Sequence, residues 1–322
     1  MEAKSLRGIV EDRPVTLITS APAWRALNGA LNISVVQRFE PDDASEDSFA
    51  AIASSLSDEA RVVYGVGGGL AVDAAKYVAH ARRLPLVGIP TALSVDAFLT
   101  PASGVRRDGC VTYLETGPPQ TLFVDWDVIA AAPSGVRAAG VCDLLSIATA
   151  LWDWRFAESE GRLSQGEAYS PVMAGLVEEI LDEAILLCPR LGRGEPAALE
   201  RLLTLLGLEV QICNFAGHSR TEEGSEHYFA YSAENIVGSG FTHAELVSPG
   251  IIAMASAQGQ DAARLGGALE SAGLNLDGIA RVVGEHVLNE LPVYVKRHNL
   301  PFGVANVLDE TRISAALQAA WR

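Results

Sequence analysis

Residues 65–76 read GVGGGLAVDAAK, directly after the apolar run RVVYGV at 61–66 and at the start of an Ala-rich segment with helical spacing. Three consecutive glycines, Gly67, Gly68 and Gly69, leave the backbone free to take positive φ and to lie close to a ligand. The helix behind them aims its first amides at the same space. The stretch therefore predicts a strand, a bare loop and a helix N-terminus that together cradle an anion. It is not the common G-x-G-x-x-G fingerprint, which opens the first strand-helix unit of a chain and carries an acidic residue roughly 20 positions later.

Working outward, VTLIT (15–19), ISVVQRF (33–39), RVVYGV (61–66), LPLVGIPT (84–91) and TLFVDW (121–126) read as strands, with helical segments between some of them. Alternation of this kind implies a parallel sheet wound on both faces, whose ligands bind beyond the carboxyl ends of the strands. Between residues 92 and 120, Arg-Asp-Gly and Gly-Pro-Pro mark turns and suggest a small hairpin. From about Ala131 the period changes. Leu- and Ala-rich runs such as 170–187 and 195–215 dominate to the end. The expected architecture is an α/β, Rossmann-like N-terminal domain over residues 1–133, followed by an all-helical domain over 134–322.

Composition narrows the function. The chain has 322 residues, 49% of them hydrophobic and 20% charged, with a formal net charge of −16. That balance describes a globular protein whose surface repels polyanions, so nucleic acid and anionic membranes are poor partners. An anionic small molecule would need a local pocket of amides or cations. Cys110, Cys142, Cys188 and Cys213 show no C-x-x-C spacing and read as free thiols. No apolar stretch approaches the roughly 20 residues of a membrane span. A cytoplasmic protein is expected, and the apolar helical faces of the second half suggest a homodimer.

Two further clusters bear chemistry. In Pro90-Thr-Ala-Leu-Ser-Val-Asp96, a strand ends so as to present the Thr91 and Ser94 hydroxyls at the sheet rim, suited to a phosphate or a carboxamide, with Asp96 placed for a substrate hydroxyl. The alternative is a proline-initiated turn capped by Ser or Asp. In the helical half, His227 and His243 stand 16 residues apart, with Asp143 far upstream. One carboxylate and two imidazoles leave open positions on a divalent metal, whereas isolated histidines also serve as caps. Arg220 has the fork geometry to hold a phosphate, or to close a helix-end salt bridge.

Taken in order, GVGGGLAVDAAK, PTALSVDAFLTP, the 122–157 stretch beginning LFVDWDV, SRTEEGSEHYFAYSAE and THAELVSPGIIAM resemble the glycerol-1-phosphate dehydrogenase branch of the iron-containing alcohol dehydrogenase and dehydroquinate synthase superfamily. The resemblance covers about residues 60–250 and implies a dehydroquinate synthase-like fold. It implies that Gly67, Gly68 and Gly69 hold the pyrophosphate of NAD or NADP, with Asp73 and Lys76 on the helix behind. Thr91 and Ser94 then line the cofactor site and Asp96 lies beside the substrate. Asp143, His227 and His243 match the family's metal ligands. Zinc is the first choice of ion, although two imidazoles and a carboxylate also accept iron or nickel. The implied reaction interconverts a secondary alcohol and a ketone, with glycerol 1-phosphate and glycerone phosphate, or a related polyol phosphate, as the pair.

The chain departs from the family pattern on the substrate side. Val95 replaces a histidine, Thr221-Glu222-Glu223 replaces a Pro-x-Ser run, and Tyr231 stands where many relatives carry a second histidine. Two other functions therefore compete. A sugar-phosphate cyclase of the dehydroquinate synthase kind would use glutamate as first metal ligand, whereas Asp143 stands here, and residues 91–110 contain no lysine. A non-catalytic homologue would have little reason to keep three dispersed metal ligands.

Overall fold

The computed structural model describes residues 1–27, 29–238 and 240–321. They form two compact units, Met1–Arg137 and Ala138–Arg322.

The first unit contains strands β1 (Glu2–Ala3), β2 (Val15–Thr19), β3 (Val35–Phe39), β4 (Val62–Gly67), β5 (Leu86–Pro90), β6 (Ala102–Arg107), β7 (Cys110–Glu115) and β8 (Thr121–Val124). Its helices are α1 (Ala21–Ala26), α2 (Glu46–Ser54), α3 (Gly69–Arg82), α4 (Trp126–Ala131) and α5 (Ser134–Arg137). Six strands make one parallel sheet in the order β1-β8-β5-β4-β2-β3. Every residue of β2, β4 and β5 is buried, as continuous apolar strands must be when helices cover both faces. On one face Ile18, Val63 and Leu86 pack against Phe49 and Ile52 of α2 and Val78 of α3. On the other, Leu17, Tyr64 and Ile89 pack with Leu6, Leu27 and Leu31. Strand β3, at the edge, exposes Val35 and Val36.

The order reverses at β2, which has β3 on one side and β4 on the other. Such a switch point opens a crevice at the carboxyl ends of the strands. Gly67 ends β4 there.

Strands β6 and β7 form the expected hairpin. Asp108 (φ 53°) and Gly109 (φ 77°) supply the two left-handed residues that a tight two-residue turn requires. The last expected strand is shorter than 121–126. Asp125 accepts a hydrogen bond from Asp127 N at 3.1 Å and another from Leu6 N at 2.8 Å. Capping by that one carboxylate turns the chain into α4 two residues early.

The second unit is built from α6 (Val141–Ser159), α7 (Pro171–Gly192), α8 (Pro196–Ala216), α9 (Ser225–Val237), α10 (His243–Ala257), α11 (Ala262–Ser271), α12 (Arg281–Arg297) and α13 (Glu310–Ala320). Both α7 and α8 begin with proline at the first helical position, where its missing N–H costs nothing. Helix α10 is apolar on nearly every side and buried along most of its length, which makes it the central helix of this unit. It approaches α9 closely at Gly250, where a Cβ would lie 2.6 Å from the Glu226 carbonyl oxygen. That contact fixes α9, and with it the side chains at 226 and 227, against the core. Among the described residues, no helix is long and apolar enough to cross a membrane.

Candidate active site

In the α/β unit the glycine loop is backbone presented bare. Gly67 takes φ +144°, and a Cβ there would press on Ala71 and Ala23 at 3.2 and 3.3 Å. Gly68 is the N-cap of α3 and supplies no side-chain cap, which leaves the first amides of a 14-residue helix for whatever binds beyond them. The 94–95 segment lies alongside. Ser94 Oγ would be 3.2 Å from a Cβ on Gly68, and Val95 Cγ1 3.2 Å from one on Gly69. Thr91 N donates to Gly67 O at 3.4 Å. Thr91, Ser94 and the three glycines thus meet at one end of the sheet, and half-buried Asp96 follows on the same segment.

Asp73 and Lys76 do something different from lining that rim. Lys76 is fully buried and pairs with Asp73 at 2.9 Å. Its ammonium also donates to Ala97 O at 2.8 Å, to Thr100 Oγ1 at 3.1 Å and to Ala102 O. Ser103 Oγ donates to Asp73 O. A buried ammonium of this kind must have its donors satisfied, and here they clamp the 97–102 turn onto α3. The pair therefore holds the segment that carries Thr91, Ser94 and Asp96.

In the helical unit, Asp143 lies in the first turn of α6, His227 in the first turn of α9, and His243 is the first residue of α10. Three helix starts converge. Asp143 and His227 are 1% and 4% exposed, while the His243 side chain keeps 31% of its surface. His243 Nε2 lies 3.0 Å from Asp143 Oδ1, and the two imidazole centroids are 5.4 Å apart. Cys142 Sγ, 3.3 Å from Asp143 Oδ1, adds a thiol at the margin.

The tautomer of His227 is set by its neighbour. Glu226, 0% exposed, accepts from Gly224 N at 2.7 Å, from Thr149 Oγ1 at 2.7 Å and from His227 Nδ1 at 2.9 Å. With Nδ1 donating, Nε2 is the atom left to ligate, the arrangement found where a carboxylate orients a metal-binding histidine. Burial works against a charged His227, but the Glu226 hydrogen bond and charge outweigh it and take the group up to about 9. Burial would likewise raise Asp143, yet the His243 charge and hydrogen bond, with His227 behind them, hold its carboxyl below the ordinary range. One carboxylate and two imidazoles, drawn together at three helix starts, are a donor set that fits a divalent metal.

Arg220, the residue expected on the substrate side, lies inside the helical unit. It is 2% exposed, and its Nη2 donates to the Asp153 and Phe302 carbonyls at 3.0 and 2.8 Å. Its guanidinium joins α6 to the segment before α13 through Nη2 alone, while Nε and Nη1 are buried with no hydrogen-bond partner. Nor does it close a helix-end salt bridge among the described residues. The nearby His218 packs edge-on to Trp154 at 5.2 Å and accepts from Arg220 N at 3.2 Å.

Reasoning from the sequence passed over Glu226, Asp153 and Glu245. Glu226 was legible as the carboxylate adjoining a candidate ligand histidine. Glu245 was legible in Thr-His-Ala-Glu: Thr242 Oγ1 accepts from Glu245 N at 3.3 Å and Glu245 accepts from Thr242 N at 2.8 Å, a capping box that fixes the start of α10 and so the placement of His243. Asp153 gave no local signal. It is fully buried and accepts from Ser225 N and Val304 N at 2.8 and 2.7 Å and from Gln258 Nε2 at 3.0 Å. Burial raises its carboxyl to about 6.

Comparison with known proteins bears on the family. A family model described as iron-containing alcohol dehydrogenase matches residues 7–133. A glycerol-1-phosphate dehydrogenase (NAD(P)+) of Cenarchaeum symbiosum is 35% identical over 231 residues, covering 70% of this chain and 63% of its own length. One from Hyperthermus butylicus is 30% identical over 270 residues, covering 80% of this chain and 76% of its own. In three dimensions, a probable glycerol dehydrogenase from Sinorhizobium meliloti 1021 superposes with a TM-score of 0.73 at 17% identity, over 99% of this chain and 93% of that one, which speaks for the fold. The chain spans a little under two thirds of the first relative's length and about three quarters of the second's. Sheet order, glycine loop and relatives together place the chain in the glycerol-1-phosphate dehydrogenase family of the iron-containing alcohol dehydrogenases.

Proposed function

We propose that this protein is a metal-dependent, NAD(P)-linked dehydrogenase that interconverts a secondary alcohol and a ketone, with glycerol 1-phosphate and glycerone phosphate, or a related small polyol phosphate, as the pair. The observation that carries the reading is the Glu226–His227 hydrogen bond at 2.9 Å, which reserves Nε2 for a ligand next to Asp143 and His243. Those three residues would hold the ion, with zinc preferred and iron or nickel compatible with the donors. When bound, a divalent ion there supplies Lewis acidity toward a hydroxyl or carbonyl oxygen, and the nicotinamide supplies the hydride acceptor or donor.

The chain's own groups account for the rest. Gly67–Gly69 and the first amides of α3 bind the dinucleotide pyrophosphate, and the Thr91 and Ser94 hydroxyls orient the adjacent cofactor atoms. Asp96 accepts a hydrogen bond from a substrate hydroxyl. Asp143 contributes the negative charge that holds the cation, and Glu226 fixes the His227 ring. Lys76 acts as a positioning residue inside the scaffold. The chain acts in the cytoplasm as a homodimer through exposed apolar side chains such as Leu208 and Phe215.

Oxidation of NADH and of NADPH with glycerone phosphate, by protein loaded with zinc, iron or nickel, tests this. Turnover abolished by chelation and by His243→Ala is the expected result. A protein that binds metal and dinucleotide yet reduces neither glycerone phosphate nor other small ketones overturns the reading.

A further inference from the structure

We infer a second cation site in the helical unit, formed by Glu209, Cys213 and Glu222, that takes a divalent ion of borderline softness such as Zn2+. Glu209 and Cys213 are four residues apart on α8 and so share one face of it. Glu222 lies in the link between α8 and α9. Cys213 Sγ is 2.8 Å from Glu209 Oε1, 3.0 Å from Thr221 Oγ1 and 3.7 Å from Glu222 Oε2. One ligand atom from each of Glu209, Cys213 and Glu222 lies within 4.8 Å of the other two. None of these residues is Asp143, His227 or His243, although a Glu222 carboxylate oxygen also comes within 4.8 Å of one of Asp143.

An independent observation points to a ligand. Glu209 is 0% exposed; its carboxyl hydrogen-bonds that of half-buried Glu222, and its Oε2 is buried without a partner of its own. An orphaned buried carboxylate oxygen is costly, and so is a buried carboxyl held against a second one. Burial, ahead of every other cause, pushes Glu209 up to about 7. Burial and then the Glu209 and Glu222 charges push Cys213 well above the ordinary thiol range. A divalent ion would satisfy Oε2 and offset the carboxylate repulsion. It would also displace the Cys213 proton to solvent, so that binding is stronger at higher pH. One thiolate with two carboxylates, leaving a position for water, suits zinc better than magnesium or calcium, which favour oxygen-only shells.

Cobalt(II) titrated into the full-length, metal-free protein reads the site directly, because a thiolate ligand gives a charge-transfer band in the near ultraviolet that imidazole and carboxylate do not. The band should form in the wild-type protein, persist in His243→Ala and Cys142→Ser, and vanish in Cys213→Ser. Glu209→Gln, which keeps the side-chain volume, should weaken cobalt binding about 10-fold or more and serves if Cys213→Ser does not fold. No band in the wild-type protein, or a band that survives Cys213→Ser, overturns the site. So does a band lost with His243→Ala or Cys142→Ser, since the thiolate contact would then belong to the first metal set. The inference does not depend on the dehydrogenase activity, and its failure leaves the proposed function standing.

Discussion

The two units meet the problem of binding a charged group in opposite ways. The α/β unit uses backbone: three adjacent glycines and the bare N-terminus of α3 form the anion cradle within a single strand-turn-helix. The helical unit uses side chains, and draws Asp143, His227 and His243 from the starts of three helices spread over 100 residues of sequence. A backbone site is specified locally and tolerates change in distant residues. A side-chain site is only as good as the packing that brings its helices together, and here that packing includes the α9–α10 approach at Gly250 and the capping box at Thr242.

The contrast predicts which substitutions act at which site. Glu226→Gln breaks the orientation of His227 without altering shape and should weaken metal affinity about 10–100-fold, measured by chelator competition, with dinucleotide affinity unchanged. Gly67→Ala places a Cβ at φ +144° against Ala71 and Ala23 and should cost about 1–3 kcal/mol. Calorimetry should find that cost in dinucleotide binding and not in metal binding. If Glu226→Gln and Gly67→Ala each impair both ligands equally, the division between backbone and side-chain sites is wrong.

Asp153 sharpens the comparison on the helical side, because its carboxyl is raised from the ordinary 3.8 to about 6 in the fold. The folded state therefore holds a proton that the unfolded chain releases between those two values, and its advantage is lost as pH rises through that window. Relative to Asp153→Asn, whose side chain does not titrate, wild-type stability should fall by something on the order of 3 kcal/mol between about pH 4 and pH 6 and stay level above about pH 7. Denaturant unfolding across that range reads the difference, and a difference independent of pH would refute the assignment. The smallest effect is expected from Glu245→Ala, which removes half of the capping box and should cost about 1 kcal/mol, with a modest fall in metal affinity as the start of α10 loosens around His243.

What the sequence determined by itself was local and periodic. The change from strand runs to helical spacing, the glycine loop, the Asp108-Gly109 turn and the proline starts of α7 and α8 each depend on backbone rules that neighbouring residues satisfy among themselves. The resemblance over residues 60–250 also named Asp143, His227 and His243 as a set. Tertiary structure decided what each charged side chain faces. Lys76, the last residue of the glycine motif, turns inward to clamp the 97–102 turn. Arg220, beside the histidines in sequence, is buried with Nη2 on two carbonyls and Nε and Nη1 unpaired, and Glu226 is turned onto His227 Nδ1. Asp153 collects donors from residues 72 to 151 positions away. A charge acts on whatever lies within a few ångströms of it, and in a bundle of helices those neighbours come from distant parts of the chain, so the scaffold and the chemistry of such residues separate only once the helices are packed.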